Sequence, residues 1–154
     1  MKIGMVTDSL GHLSFNDMLD TAAAMGIQGV EFNACNWTSA PHMNLAELLK
    51  SAPARADFLA AIKQRGLELT AFNANGNQLH PTDGKRQSDA LYDTIRLAGE
   101  FGVETVVLMS GLPEGAAGLH EREARSAAVR RELAGLTVVA DRAAALARLE
   151  AVLP

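Results

Sequence analysis

Asparagine gathers at two places in this sequence. Residues 66–81 read GLELTAFNANGNQLHP, where an apolar run from Leu67 to Phe72 gives way to Asn73, Asn75, Gly76, Asn77 and the pair His80-Pro81. Residues 29–37, GVEFNACNW, repeat the pattern, with Asn33 after Phe32 and Asn36 before Trp37. An asparagine side chain offers two donors and an acceptor group without a charge, so several together suit a hydroxyl-rich ligand. Gly76 lets backbone approach such a ligand closely. Turn geometry is the competing account of Asn75 and Gly76, since both residue types serve tight turns. For Asn33 and Asn73, still within the strand-like runs, ligand contact or a buried polar role fits better than a turn.

Three segments show how these residues are held. AAAMGIQGVEFNA, AIKQRGLELTAFNA and LAGEFGVETVVLMS each run from a helix-like pattern through a glycine (Gly26, Gly66, Gly102) into a short β-branched or apolar stretch. Glycine is the usual residue where a helix closes in a left-handed conformation, so each segment reads as helix, cap, strand. Repetition of such units implies a parallel sheet with helices outside it. Strands are expected at Lys2 to Thr7, Gly29 to Asn33, Leu67 to Asn73 and Thr105 to Met109. Helices are expected from Ser14, as N-cap with Asp17 completing an approximate capping box, to Met25, and from Ser88 to Phe101. Between them lies an interrupted helix, Asn44 to Lys50 and Arg55 to Arg65, punctuated by Pro53. Four such units make about half of an eight-unit barrel, in the order 1-2-3-4 because right-handed crossovers leave few alternatives. Ligands of parallel α/β folds bind at the C-terminal ends of the strands, where both asparagine groups fall.

The chain has 154 residues, 48 % of them hydrophobic and 21 % charged, which is enough apolar material for one globular domain. A formal net charge of −4 provides no broad positive field for nucleic acid or an anionic membrane. Cys35 is the single cysteine, which excludes an intramolecular disulfide and fits a reducing compartment, with the thiol read as an inert small residue. The N-terminal apolar run is too short for a signal peptide and no run reaches the length of a membrane span. A soluble, cytoplasmic protein is expected.

GVEFNACNW, AFNANGNQLHP and GVETVVLMSGLPEG, in this order and at this separation, resemble the N-terminal half of the sugar phosphate isomerase/epimerase family, the xylose-isomerase-like (β/α)8 barrels. The resemblance covers residues 1–115. It implies an α/β fold, a parallel-stranded half of a TIM-type barrel, and a small polyol or sugar as ligand; the charge balance argues against nucleic acid or membrane as partner. Glu31 is similar to an acidic residue that family members often carry at the barrel mouth, the alternative being an ordinary strand-end carboxylate. His80 matches the family's GN-x-LHP histidine, with a hydrogen-bonding or structural role favoured over metal ligation. His12, after strand one, lies at the same mouth, and Trp37 is placed to stack on a sugar ring or to pack on the rim. The substrate-facing set is thus Glu31, Asn33, Asn73, Asn75, His80, His12 and Trp37.

The family's divalent metal (Mn, Mg, Co or Zn) and its proton-transfer carboxylates come from strands five to eight. The matching portion of this chain supplies neither, so no catalytic residue and no metal ligand is assigned. Residues 116–154 are rich in alanine and arginine and do not resemble the family's continuation. They read as two helices, the second capped by Asp141, around GLTVV, which is either a fifth strand or a hairpin loop. The change in character fits a truncated or frame-shifted terminus as well as a segment of the same domain. An isomerase/epimerase-like protein that is incomplete as a catalyst is the expectation. The alternatives are a non-catalytic half-barrel that binds a ligand or another chain, and a DNA repair endonuclease of the same superfamily. The last is disfavoured because Ala71, Phe72 and Met109 stand where that branch carries metal-binding histidines. An unclosed sheet also favours a homo-oligomer or pairing with a missing C-terminal half.

Overall fold

The computed structural model describes residues 2–109. Four strands form one parallel sheet in the order β1-β2-β3-β4: β1 Gly4–Val6, β2 Gly29–Asn33, β3 Glu68–Asn73 and β4 Val106–Val107. They alternate with α1 Phe15–Ala24, α2 Leu45–Lys50, α3 Ala52–Gln64 and α4 Gly84–Phe101. This is the sequential parallel half-barrel expected from the sequence, and it is not closed among the described residues. The elements expected within residues 116–154 lie outside the described residues. No helix among the described residues is long and apolar enough to cross a membrane.

The repeated glycines do what their spacing predicts. Gly26, Gly66 and Gly102 have φ of 77°, 70° and 68°, the left-handed conformation in which a side chain would be strained. Ser14 caps α1 by accepting a hydrogen bond from the Asp17 amide at 3.2 Å. The reciprocal half of a capping box is replaced: the Asp17 carboxylate takes the Ser14 hydroxyl proton at 2.6 Å instead of the cap's amide. Aspartate is one methylene shorter than the glutamate that usually reaches back. Ser51 separates α2 from α3 by donating its amide to the Glu47 carbonyl and capping the Ala54 amide. Pro53, in the first turn of α3, costs no helical hydrogen bond there.

Several boundaries differ from the sequence reading, among them α3, which begins at Ala52 rather than Arg55 and so contains Pro53, and β1, which begins at Gly4 rather than Lys2. Strand β1 ends at Val6 because Thr7–Leu10 tightens into a 3₁₀ turn. Strand β4 is confined to Val106–Val107. Helix α4 starts at Gly84 rather than at Ser88, whose hydroxyl is buried and donates to the Gly84 carbonyl one turn back, within the helix.

The core lies between sheet and helices. Met18, Leu19, Val30, Phe32, Ile62, Phe72 and Leu97 are fully buried there. The chain's five phenylalanines form one chain of ring contacts, with Phe15–Phe58 at 5.1 Å, Phe32–Phe58 at 4.9 Å, Phe58–Phe101 at 5.7 Å and Phe72–Phe101 at 5.6 Å. Side chains alternate along a strand, so Val30 and Phe32 face the helices while Glu31 and Asn33 face the other side of the sheet.

A bulge preserves this alternation between neighbours. Gly29 pairs with Glu68 and Val30 with Leu69, but Glu31 pairs with Ala71, leaving Thr70 as the extra residue of β3. The Thr70 hydroxyl donates to the Val30 carbonyl at 3.1 Å, tying the extra residue to the neighbouring strand at the irregularity. Without the extra residue Phe72 would fall opposite Asn33 and face the polar side; with it, Phe72 joins the core and Asn73 aligns with Asn33. Gly29 makes room for the arrangement, because a Cβ there would stand 2.7 Å from Thr70 Cγ2. Gly29→Ala is expected to destabilise the fold by about 1–3 kcal/mol. Adding Thr70→Ser, which removes the offending methyl and keeps the hydroxyl, should recover most of that loss in denaturant titration. Additive losses in the double variant would refute this account of the bulge.

Candidate functional site

The C-terminal ends of β1, β2 and β3 bring together the groups singled out in the sequence. Asn73, 6 % exposed, donates from Nδ2 to Glu31 Oε1 at 2.7 Å and accepts the Asn75 amide on Oδ1 at 2.9 Å. One asparagine thus orients the carboxylate on the neighbouring strand and sets the first turn of its own loop. Asn33, paired in register with Asn73, shares the same face. Its Oδ1 and that of Asn75 are buried without a hydrogen-bond partner among the described residues. These four, Glu31, Asn33, Asn73 and Asn75, form a continuous polar edge across β2 and β3.

The other candidates are placed differently. His80 does not point a bare ring at the strand ends. Its Nδ1 accepts from the backbone amides of Thr82 at 3.3 Å and Asp83 at 3.1 Å, and lies 3.2 Å from the Thr82 hydroxyl. The ring therefore shapes the turn into α4, and Nδ1 is committed to that turn. Trp37 is 60 % exposed on the rim, with its amide donating to the Asn75 carbonyl at 3.1 Å. His12 is exposed in the loop after β1.

Three groups outside the expected substrate-facing set hold the site. Gln87, in α4 and 5 % exposed, accepts the Asn77 amide on Oε1 and donates from Nε2 to Asp83 Oδ2 at 2.8 Å. Asn36, in the left-handed conformation at φ 68°, donates from Nδ2 to the carbonyls of Ala74 and Gln87, both at 3.3 Å. These contacts join the loops after β2 and β3 to each other and to α4. The third group, Asp8, follows β1, accepts from the Thr38 hydroxyl on Oδ2, and has Oδ1 buried without a partner among the described residues. Its position just past a strand end is a signal of the same kind as those of Asn33 and Asn73. Gln87 offered no signal, since the sequence reading starts the helix one residue later and a glutamine beside a helix start ordinarily reads as surface.

Electrostatics tighten the same loop. The Arg86 guanidinium, together with a hydrogen bond from Gln87, lowers the Asp83 carboxyl to about 2. The folded value is below the ordinary one, so this ion pair supports the loop above the ordinary carboxylate range and is lost as pH falls towards 2. Cys35 follows the opposite course. Burial pushes its thiol up, outweighing the Thr94 hydroxyl 3.4 Å away, which itself donates to the Ala90 carbonyl. A protonated, partly buried thiol is a poor nucleophile. Alkylation of Cys35 by iodoacetamide at pH 8 is expected to run well below the rate for an unstructured cysteine peptide. A rate matching or exceeding the peptide's would make Cys35 a reactive group.

The described residues do not fit a divalent metal site, since no group of three His, Cys, Asp or Glu side chains converges among them. Glu31 and His80 each direct an acceptor atom to a neighbouring protein group instead.

Comparison with known proteins places this arrangement. The chain is 48 % identical over 116 residues to the "Uncharacterized protein YfiH" of Bacillus subtilis (strain 168), an alignment covering 75 % of this chain and 37 % of that protein. Its backbone superposes on the probable 3-DHS dehydratase AsbF from Bacillus anthracis with a TM-score of 0.61 at 17 % identity, covering 97 % of this chain and 50 % of AsbF. A xylose isomerase domain containing protein from Salmonella typhimurium gives a TM-score of 0.54 at 16 % identity, over 97 % of this chain and 46 % of that one. The chain thus spans about half the length or less of these proteins, and the two structures share its fold. A sequence profile described as the xylose isomerase-like TIM barrel matches residues 19–149. With its sequential parallel strands and polar strand ends, the chain belongs to the xylose isomerase-like TIM barrel family.

Proposed function

We propose that residues 2–109 form one wall of a polyol- or sugar-binding site in an isomerase- or epimerase-type barrel. The observation that supports this reading best is the hydrogen-bonded string Glu31–Asn73–Asn75 across the ends of β2 and β3. A carboxylate oriented by an amide, beside further amides, matches the alternating donors and acceptors of adjacent hydroxyls. In this reading Glu31 and Asn33 accept from ligand hydroxyls, Asn75 lies on the loop above them, and Trp37 covers one side of a ring. Proton transfer and any divalent metal (Mn, Mg, Co or Zn) belong to groups beyond this wall. Pairing with a second copy, or with the remaining units of a barrel, would complete it.

Titration of the 154-residue chain with ketoses and linear polyols, followed by NMR of the asparagine side-chain amides, tests the reading. Hydrogen bonds to charged groups contribute about 1.5–3 kcal/mol, so Asn73→Ala, which leaves Glu31 unoriented, should weaken binding roughly tenfold or more. Sugar-induced shifts confined to the opposite end of the strands, or affinity unchanged in Asn73→Ala, would defeat it.

A further inference from the structure

Apart from the Thr7 hydroxyl directly after β1, which can also donate, the polar atoms left over at the strand ends are acceptors. Asp8 Oδ1 after β1, Asn33 Oδ1 at the end of β2, and Asn75 Oδ1 and Gln78 Oε1 after β3 are all buried without a hydrogen-bond partner among the described residues. Gln78 is 1 % exposed. Buried acceptors of this kind are normally satisfied, and a group of them along adjacent strand ends calls for a ligand that brings donors. The charges around them point the same way. Asp8, Glu31 and Asp83 stand at this end of the sheet, and Asp83 stays ionised because Arg86 and Gln87 hold it well below the ordinary range. Arg86 and Lys85, at the start of α4, are already paired with Asp83 and Asp89. Asp83 immediately precedes Gly84, so the positive end of α4 is also met by a carboxylate.

Resting on the polyol reading above, we infer that this site selects unphosphorylated polyols and disfavours their phosphate esters. A hydroxyl donates to the unpaired oxygens. A phosphate brings only acceptors at neutral pH, and places about two negative charges beside carboxylates whose neighbouring lysine and arginine among the described residues, Lys85 and Arg86, are already engaged.

The deciding experiment titrates the 154-residue chain with D-fructose, D-tagatose and D-ribulose, each beside its phosphate monoester, following the side-chain amides of Asn33 and Asn75. The free ketose is expected to bind at least tenfold tighter than its ester at low salt. The gap should narrow at 0.5 M NaCl, because screening weakens charge repulsion and leaves a purely steric exclusion unchanged. Esters that bind as tightly as the free sugars, or tighter, would overturn this inference and leave the polyol reading standing. A gap that salt does not change would overturn its electrostatic basis. Failure of every sugar and every ester to move either amide would overturn both readings.

Discussion

Phe32→Ala is expected to lower the stability of the chain by about 3–5 kcal/mol, a large fraction of the 5–15 kcal/mol typical of a domain. Phe32 is fully buried on the helix-facing side of β2 and touches both Phe15, at 6.1 Å, and Phe58. Its removal therefore opens a cavity where β2, α1 and α3 meet and takes away two ring contacts, leaving the run Phe15–Phe58–Phe101–Phe72 to line it. Phe32→Leu keeps most of the volume and should cost far less. Chemical denaturation followed by circular dichroism distinguishes the two. Equal losses would show that the rings act as generic apolar bulk, and a loss below about 1 kcal/mol in Phe32→Ala would remove this cluster from the centre of the fold.

Turnover carries the second large effect. General acid–base groups contribute about 10²–10⁴ in rate, and a metal that polarises a carbonyl adds to that. The described residues offer an oriented carboxylate, Glu31, without a facing second carboxylate in the hydrogen-bonded string and without a set of three metal-ligating side chains. The 154-residue chain is accordingly expected to bind ketoses while epimerising them at least 10²-fold more slowly than a chain in which all eight barrel units are present. The measurement is an epimerisation assay over ketoses and ketose phosphates with Mn²⁺, Mg²⁺ or Co²⁺, run beside calorimetric metal titration. Robust turnover by this chain, abolished in Glu31→Gln, would show that the catalytic groups lie within these 154 residues.

The architecture was legible because its signals are local. A glycine that closes a helix in the left-handed conformation announces itself in sequence, and Gly26, Gly66 and Gly102 did so three times. The asparagine that follows phenylalanine in both EFNA and AFNA likewise marked the polar strand ends, although the bulge at Thr70 within LTAFN could not be read from alternation. The site was legible only in part, because its remaining determinants depend on contacts between distant segments. The Thr70 bulge depends on the missing side chain of Gly29, 41 positions earlier on the adjacent strand. Gln87 earns its place only through Asn77 and Asp83, which a helical amide does not reveal by its own neighbours. His80 drew notice as chemistry, yet its Nδ1 serves the turn that starts α4 four residues earlier than the serine suggested. Histidine and asparagine read alike in sequence whether they meet a ligand or a backbone amide.

The two faces of the sheet also bear on how such a chain changes over generations. Packing strength resides in the phenylalanines on the helix side, while residues 31, 33 and 73 alternate onto the other side and contribute little to that packing. Replacing the amide at position 33 by a hydroxyl alters the polar edge and leaves that packing nearly intact, whereas Asn73, which holds Glu31 and the Asn75 turn, is less free to change. Under the proposed polyol reading, specificity can then drift without passing through unfolded intermediates in sequence space. The bulge at Thr70 is the exception: a change of register there would exchange the two faces and end both properties at once.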